Sequence, residues 1–225
     1  MAGHYVKATG AAIDQVKLVH EQSPFSRDHS AKTAPAHSAL RRCPWVSRDA
    51  LYQQYHDQEW GYPMYDPKVL YELLILEIFQ AGLSWLTVLR KREGFRKAFA
   101  DFQPHHVAAF EDSDIERLLQ DPGIIRHRGK ITAAVSGARV WLDLEEAHPG
   151  GFSAFIWDSV DGQPRINHWS EPDQVPSETP ESRVLSDRLR QAGFRFLGPT
   201  TCYAFMQAAG LVDDHLLICF RRATT

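Results

Sequence analysis

The chain is organised around residues Glu77 to Trp85, which read E-I-F-Q-A-G-L-S-W. Glu77 lies in the most apolar part of the chain, and a carboxylate costs several kcal/mol to bury without a partner. It therefore indicates either a functional acid or an acid that bridges neighbouring helices. The Ala-Gly pair after Gln80 predicts a helix end, and Ser84 predicts the start of the next helix. The pattern places an acid, an amide and the indole of Trp85 close together.

Helical signals continue on both sides of this stretch. Asp66 and Pro67 predict the N-cap and first residue of a helix that stops at Gly82, and Ser84 begins a helix from Trp85 to Ala100. Upstream, Ser47 is a fair N-cap for a helix through Tyr55. Downstream, a helix ending at Gln120 meets a Pro-Gly turn, and a long helix runs from near Arg128 to about Glu146. This spacing predicts a helical hairpin.

Composition limits the class of protein. The chain has 225 residues, 44% of them hydrophobic, and no apolar run approaches the ~20 residues of a membrane span. The net charge of -3 requires any contact with nucleic acid to come from local basic patches. No strand alternation or repeat is found, so the sequence predicts an all-α protein: a disordered extension over residues 1–40 and a single domain over 41–225. The lack of a signal peptide and the cysteine usage predict a cytoplasmic protein.

Two cysteines and two histidines form a possible metal site. His215 and Cys219 are four residues apart, which predicts that both face one side of a helical turn, and Cys43 and His56 lie at the other end of the ordered region. Two thiolates and two imidazoles suit tetrahedral zinc. Four protein ligands leave no open position, so the zinc would be structural and would clip the two ends of the domain together. The alternative is a set of buried side chains that never meet a metal.

Aromatic residues crowd the region around Glu77. They are Trp45, Tyr52, Tyr55, Trp60 and Trp85. Such residues are often core. Indoles beside a buried acid also make a pocket for a flat, electron-poor ring, where stacking and cation–π attraction favour a positively charged base.

Basic residues form two clusters. The first is Arg90, Lys91, Arg92, Arg96 and Lys97; the second is Arg126, His127, Arg128 and Lys130, beside the glycine turn at Gly123. Each alone could be a solvated face. Two clusters beside an aromatic–acid pocket predict a surface that binds the phosphate backbone of duplex DNA. The backbone N–H groups of the glycine turn would point toward a phosphate. Lys130 is predicted to lie on a solvent-facing turn, unsuited to nucleophilic chemistry.

Residues 42 to about 220 closely resemble the DNA-3-methyladenine glycosylase I (TAG-type) family of the helix-hairpin-helix glycosylase superfamily. The motifs are R-C-P-W-V at 42–46, Y-H-D-x-E-W-G at 55–61, L-E-x-x-Q-A-G-L-S-W at 76–85, D-x-G-I-I-R-H-R-G-K-I at 121–131, C-Y-x-F-M-Q-A at 202–208 and G-L-V-x-D-H at 210–215. Pro122 departs from the small residue typical of the hairpin turn, and it removes one N–H that could bind phosphate.

The resemblance implies a helix-hairpin-helix glycosylase fold and a bacterial cytosolic enzyme, monomeric, that flips N3-methyladenine out of alkylated duplex DNA. It would hydrolyse the N-glycosidic bond without lyase activity. The resemblance implies one structural zinc on Cys43, His56, His215 and Cys219. Glu77 and Tyr55 would be catalytic, with Trp45, Trp60, Trp85 and Gln80 binding the base. Leu83, Gly123, Arg126, Arg128 and Lys130 would contact DNA, with Leu83 filling the gap in the base stack. The catalytic Asp of many superfamily relatives has no counterpart here.

Two other classes remain open from the residues alone. A zinc-stapled module that senses damaged DNA without cutting it would carry the same fold and basic patches, although it would not need the Glu77–Trp85 pocket. A metallohydrolase would need an open zinc position, which four protein ligands do not leave.

Overall fold

A central helix that is buried over ten consecutive residues organises the fold. The computed structural model describes residues 40–222, and the extension predicted over residues 1–40 lies outside the described residues apart from its last residue. The helix α2 spans Pro67–Gln80, and every residue from Leu70 to Phe79 is buried. A helix that is apolar on all sides is covered by its neighbours on all sides, so the other elements pack around α2.

Within residues 40–222 the chain forms nine α-helices and one two-stranded parallel sheet. The helices are α1 Ala50–Gln58, α2 Pro67–Gln80, α3 Trp85–Ala98, α4 Pro104–Ala108, α5 Asp112–Gln120, α6 Arg128–Ala147, α7 Gly151–Trp157, α8 Pro180–Ala192 and α9 Pro199–Ala208. The strands are β1 Arg165–Ile166 and β2 Val212–Asp213, with Arg165 opposite Val212. The prediction of an essentially all-α fold is confirmed. No helix of the described region is both long enough and apolar enough to cross a membrane.

The ends of α2 and α3 follow from local chemistry. The Asp66 carboxylate accepts from the backbone N–H groups of Lys68 and Val69. After α2, Gly82 has a φ of 86°, which a residue without a Cβ adopts at low cost. The Ser84 hydroxyl then caps α3 by accepting from Thr87 N–H. Only four residues, Ala81 to Ser84, therefore connect α2 to α3 next to the pocket described below.

The structure corrects two local predictions. Asp49, not Ser47, caps α1, because its carboxylate accepts from the N–H groups of Leu51 and Tyr52. His215 and Cys219 do not share a helical turn, since the chain after β2 is irregular. The predicted helical hairpin is present: α5 ends at Gln120 and α6 begins at Arg128.

Candidate functional site

A cavity of about 440 Å³ opens beside the end of α2. Its walls come from the segment before α1, from α1, α2, α3 and α9, from residues 172–176 and from the segment after β2. All six side chains predicted to form the base pocket line it: Trp45, Tyr55, Trp60, Glu77, Gln80 and Trp85. Tyr52, Gln207 and Asp214 line it as well. Its size fits one small flat ligand.

Glu77 is the unusual group in this cavity. Only 3% of its surface is exposed, and its Oε2 atom has no hydrogen-bond partner within residues 40–222. Burial raises the pKa of this carboxyl from 4.5 to about 8. The side chain is therefore mostly protonated at neutral pH, whereas a carboxyl at the usual pKa of 4.5 would be charged.

Trp85 presents a second unsatisfied polar atom. Its indole Nε1 is buried without a hydrogen-bond partner in the described part of the chain. Buried polar atoms are almost always paired, so each unpaired one needs an explanation. Glu77 and Trp85 line the same cavity, and a ligand with a complementary donor and acceptor would satisfy both side chains.

Aromatic rings form the remaining walls. The ring centroids of Tyr55 and Trp85 are 5.4 Å apart, and those of Trp45 and Trp60 are 4.9 Å apart. Tyr55 is buried, and burial together with the nearby Glu77 carboxyl raises the pKa of its phenol well above 10.0. Its hydroxyl therefore keeps its proton at physiological pH and acts as a donor. Trp45 is 37% exposed and forms the outer rim of the cavity.

Asp214 is a functional candidate that the sequence analysis missed. Its carboxylate accepts four hydrogen bonds, from Asn167 Nδ2 and Trp169 Nε1 at 2.7 Å each, Tyr203 Oη at 2.6 Å and Gln207 Nε2 at 2.8 Å. It thereby ties the segment after β1 to α9 and fixes one wall of the cavity. The D-H pair at 214–215 was the available signal, because an acid beside a predicted metal ligand is seldom on the surface.

The four predicted metal ligands converge on one point. Their ligating atoms all lie within 4.8 Å of one another, and all four residues are buried. Cys43 Sγ lies 3.6 Å from His215 Nδ1, while Cys219 Sγ lies 3.4 Å from His56 Nε2 and 3.5 Å from His215 Nδ1. Zinc–sulfur and zinc–nitrogen bonds at the tetrahedral angle give an S···N edge of about 3.6 Å. The four residues therefore fit a tetrahedral ion.

The surroundings of these ligands also suit a metal. His56 Nδ1 donates to Asp57 Oδ1 at 2.8 Å, and Arg42 donates to the same carboxylate from Nε and Nη2. His215 Nε2 lies 3.1 Å from the Trp60 carbonyl oxygen. Partners of this kind fix the tautomer of a ligating histidine and leave its other nitrogen free for the metal. The hydrogen bond between the two thiols lowers the pKa of Cys219, which favours its thiolate, and raises the pKa of Cys43.

The hairpin turn is packed tightly against α3. A Cβ on Gly94 would overlap the carbonyl oxygen of Gly123, so the two backbones are in direct contact. The Gly123 N–H donates to Asp121 Oδ1 at 2.7 Å. This donor would have to leave Asp121 before it could bind a phosphate.

The predicted basic patch on α3 is largely neutralised. Arg90 pairs with Asp49, Arg92 with Glu59 and Glu72, and Arg96 with Glu72 and Glu93. Near the hairpin, Arg128 pairs with Glu116 at 2.6 Å, whereas Arg126 is exposed and makes no ion pair within residues 40–222. The cations open to a phosphate are therefore fewer than the sequence indicates.

Lys130 does not lie on a solvent-facing turn, and that prediction is wrong. It is 8% exposed, and its ammonium donates to the carbonyls of Phe79 at 3.1 Å and Ala81 at 2.8 Å. Lys130 therefore caps the end of α2 and joins it to the start of α6, which leaves its ammonium engaged with protein rather than with DNA. Leu83, by contrast, is 42% exposed; it lies in the connection between α2 and α3, three residues after Gln80.

The sequence and the fold of this chain match those of known proteins. The methyladenine glycosylase family model matches residues 45–222. DNA-3-methyladenine glycosylase 1 of Escherichia coli K12 is 49% identical over 180 residues, which are 80% of this chain and 96% of the relative. A crystal structure of 3-methyladenine DNA glycosylase I (TAG) superposes with a TM-score of 0.80 at 51% identity, covering 81% of this chain and all of that one. A Staphylococcus aureus TAG structure that describes 3-methyladenine recognition superposes with a TM-score of 0.79 at 42% identity, covering 83% and 99%.

Proposed function

The chain belongs to the methyladenine glycosylase family, and on that premise we propose that it excises N3-methyladenine from alkylated duplex DNA. It is a base-excision repair enzyme that hydrolyses the N-glycosidic bond. The relatives named above carry this activity in their names. The observation on this chain that supports it most is the pair of unsatisfied polar atoms, Glu77 Oε2 and Trp85 Nε1, in an aromatic cavity.

The chemistry of the substrate explains why such a pocket suffices. An N3-methylated adenine is cationic while attached to the sugar, so it is a good leaving group without further protonation. The enzyme must extrude the nucleotide, at a cost of a few kcal/mol, hold the base and admit water to an oxocarbenium-like sugar. Aromatic walls supply stacking and cation–π energy to the cationic base.

Glu77 and Tyr55 act on the bound base. The Glu77 carboxyl accepts from the exocyclic amine of the adenine, and the positive ring favours its charged form. Its pKa, raised to about 8 in the free protein, therefore falls when the substrate enters. The buried Tyr55 hydroxyl and the Trp85 N–H orient the base, while Gln80, Trp45 and Trp60 line the entrance and walls.

The DNA partner is held at the end of α2. Leu83 fills the gap that the extruded nucleotide leaves, because it is an exposed apolar residue on the turn next to the cavity. Arg126 and the hairpin turn at Gly123 contact backbone phosphates, and Arg128 does so once it leaves Glu116. We propose that the enzyme acts as a monomer.

Zinc is the metal that the Cys43, His56, His215 and Cys219 set suits best. It serves as a structural ion that clips the segment before α1 to the segment after β2, and both segments supply pocket walls. X-ray absorption at the zinc edge tests this assignment. Two sulfur and two nitrogen neighbours support it, and an oxygen neighbour in an open position would favour a metallohydrolase instead.

Base release from methylated duplex DNA tests the proposed activity. The full chain is incubated with the duplex, and the released bases are separated by chromatography. Free 3-methyladenine supports the enzyme. Tight binding of the DNA without any released base contradicts it and favours a module that senses damage. Borohydride trapping should give no covalent adduct, because the Lys130 amine is held by two carbonyls.

A further inference from the structure

The loop between α8 and α9, residues 193–198, carries an exposed aromatic residue in a strained conformation. Phe196 has a φ of 62° and is 44% exposed. A bulky residue in the left-handed region is an outlier, and such strain persists where the surroundings hold it. Backbone strain of this kind clusters at functional sites, so the neighbours of Phe196 indicate what function the strain could serve.

The Phe196 ring lies at the start of α6. Its centroid is 6.3 Å from that of His127, the N-cap of α6, in an edge-to-face arrangement. A Cβ at Gly129 would come within 3.2 Å of the ring tip, so the ring covers the first turn of the helix. Lys130 in that same turn binds the last carbonyls of α2. Phe196 therefore packs on the helical turn whose Lys130 contacts the C-terminal end of α2, two residues before Leu83.

Arg195, beside it, is an available cation. It is exposed, its guanidinium carbon is 5.9 Å from the centroid of the Phe196 ring, and it makes no ion pair within residues 40–222. Most arginines of α3 and the hairpin are paired with carboxylates. Since the chain carries a net charge of -3, a phosphate has to be met by local unpaired cations. Arg195 and Arg126 are two such residues near the start of α6.

We propose that Arg195 and Phe196 form a second contact with the DNA backbone, beside the hairpin. Arg195 binds a phosphate of the duplex next to the extruded nucleotide, and the Phe196 ring packs on the adjoining deoxyribose. An open cavity of about 510 Å³, lined by Arg190, Arg195, Phe196 and Gly198, provides the surface for it. The occupant is the phosphodiester backbone, for which a guanidinium is well suited. This inference rests on the proposed function.

The salt dependence of duplex binding tests the role of Arg195. Affinity of the full chain for a duplex with a tetrahydrofuran abasic analogue is measured by anisotropy from 50 to 200 mM KCl. Loss of one phosphate contact lowers the slope of log K against log salt by about 0.9. Arg195→Gln should show that loss. The matched control is Lys68→Gln, which removes the same charge in the first turn of α2, about 18 Å along the helix axis from the C-terminal end of α2 at Gln80. An Arg195→Gln slope equal to that of the control overturns the proposal.

Phe196→Asn tests the ring independently. Asn tolerates the left-handed region, so the melting temperature should hold while the duplex Kd rises several-fold. Affinity for free 3-methyladenine should stay unchanged in both variants, and an unchanged duplex Kd overturns the role of the ring. If the wild type releases no 3-methyladenine from methylated DNA, the proposed function fails. If it does, and neither variant weakens duplex binding, only this inference fails.

Discussion

Replacing Glu77 with glutamine should stabilise the protein, and by an amount that depends on pH. The pKa of this carboxyl is raised from 4.5 to about 8 by burial. Its contribution to stability is therefore fully present below pH 4.5 and is lost as the pH rises through 8. Glutamine is similar in shape and carries no charge, so Glu77→Gln removes this loss.

The magnitude follows from the shift. The difference of about 3.5 pH units, from 4.5 to about 8, corresponds to about 5 kcal/mol well above pH 8, at 1.36 kcal/mol per unit. At pH 7 the same linkage gives on the order of 3 kcal/mol, and at pH 5 less than about 1 kcal/mol. The variant should thus gain stability over the wild type steadily from pH 5 to pH 8.

Urea unfolding of both proteins at pH 5, 6, 7 and 8 measures this difference. Glu72→Gln is the matched control, because Glu72 is also buried in α2 but is paired with Arg92 and Arg96. Breaking that pair should destabilise the protein by roughly 3 kcal/mol at pH 7. A constant difference between Glu77→Gln and wild type at every pH would refute the assignment of an unpaired, buried Glu77.

Three further perturbations probe other parts of the account. Gly94→Ala should displace the hairpin turn, because the new Cβ would overlap the Gly123 carbonyl. Duplex affinity, measured by anisotropy, should therefore fall. Unchanged affinity would show that the turn does not contact DNA. Leu83→Ala should slow base release without changing affinity for free 3-methyladenine, since the side chain is exposed outside the cavity; an unaltered rate in the release assay would argue against its wedge role. Cys219→Ser should lower both the zinc content, measured by elemental analysis, and the melting temperature. Cys202→Ser is the control, because Cys202 is a buried cysteine outside the cluster, and this variant should keep its metal.

Local signals predicted the elements that local chemistry determines. Asp66 and Ser84 act as helix caps through backbone N–H groups two or three residues away, so their sequence context is sufficient. The burial of Glu77 was readable because the residues around it are continuously apolar. The cysteine–histidine set was predicted from residue types, yet its ligands meet through the tertiary fold and not through the helical spacing expected at His215.

Contacts between distant segments could not be predicted from the sequence. The carbonyls that hold Lys130 belong to residues 49 and 51 positions away, so a basic turn in the sequence becomes a buried helix cap. Asp214 receives donors from Asn167 and Trp169, which are 47 and 45 residues away, and these lie in a segment without a periodic pattern. The ion pairs that neutralise α3 depend likewise on the packing of α1 and α2 beside it.

The rate of 3-methyladenine release by Glu77→Gln, measured beside wild type on the same methylated duplex, shows whether the Glu77 carboxyl takes part in excision. We expect the variant to bind the duplex normally and to release the base roughly 10- to 100-fold more slowly, because a charge-assisted hydrogen bond is worth about 1.5–3 kcal/mol. Equal rates for the two proteins would contradict this expectation, since the buried carboxyl at the end of α2 would then have no part in excision.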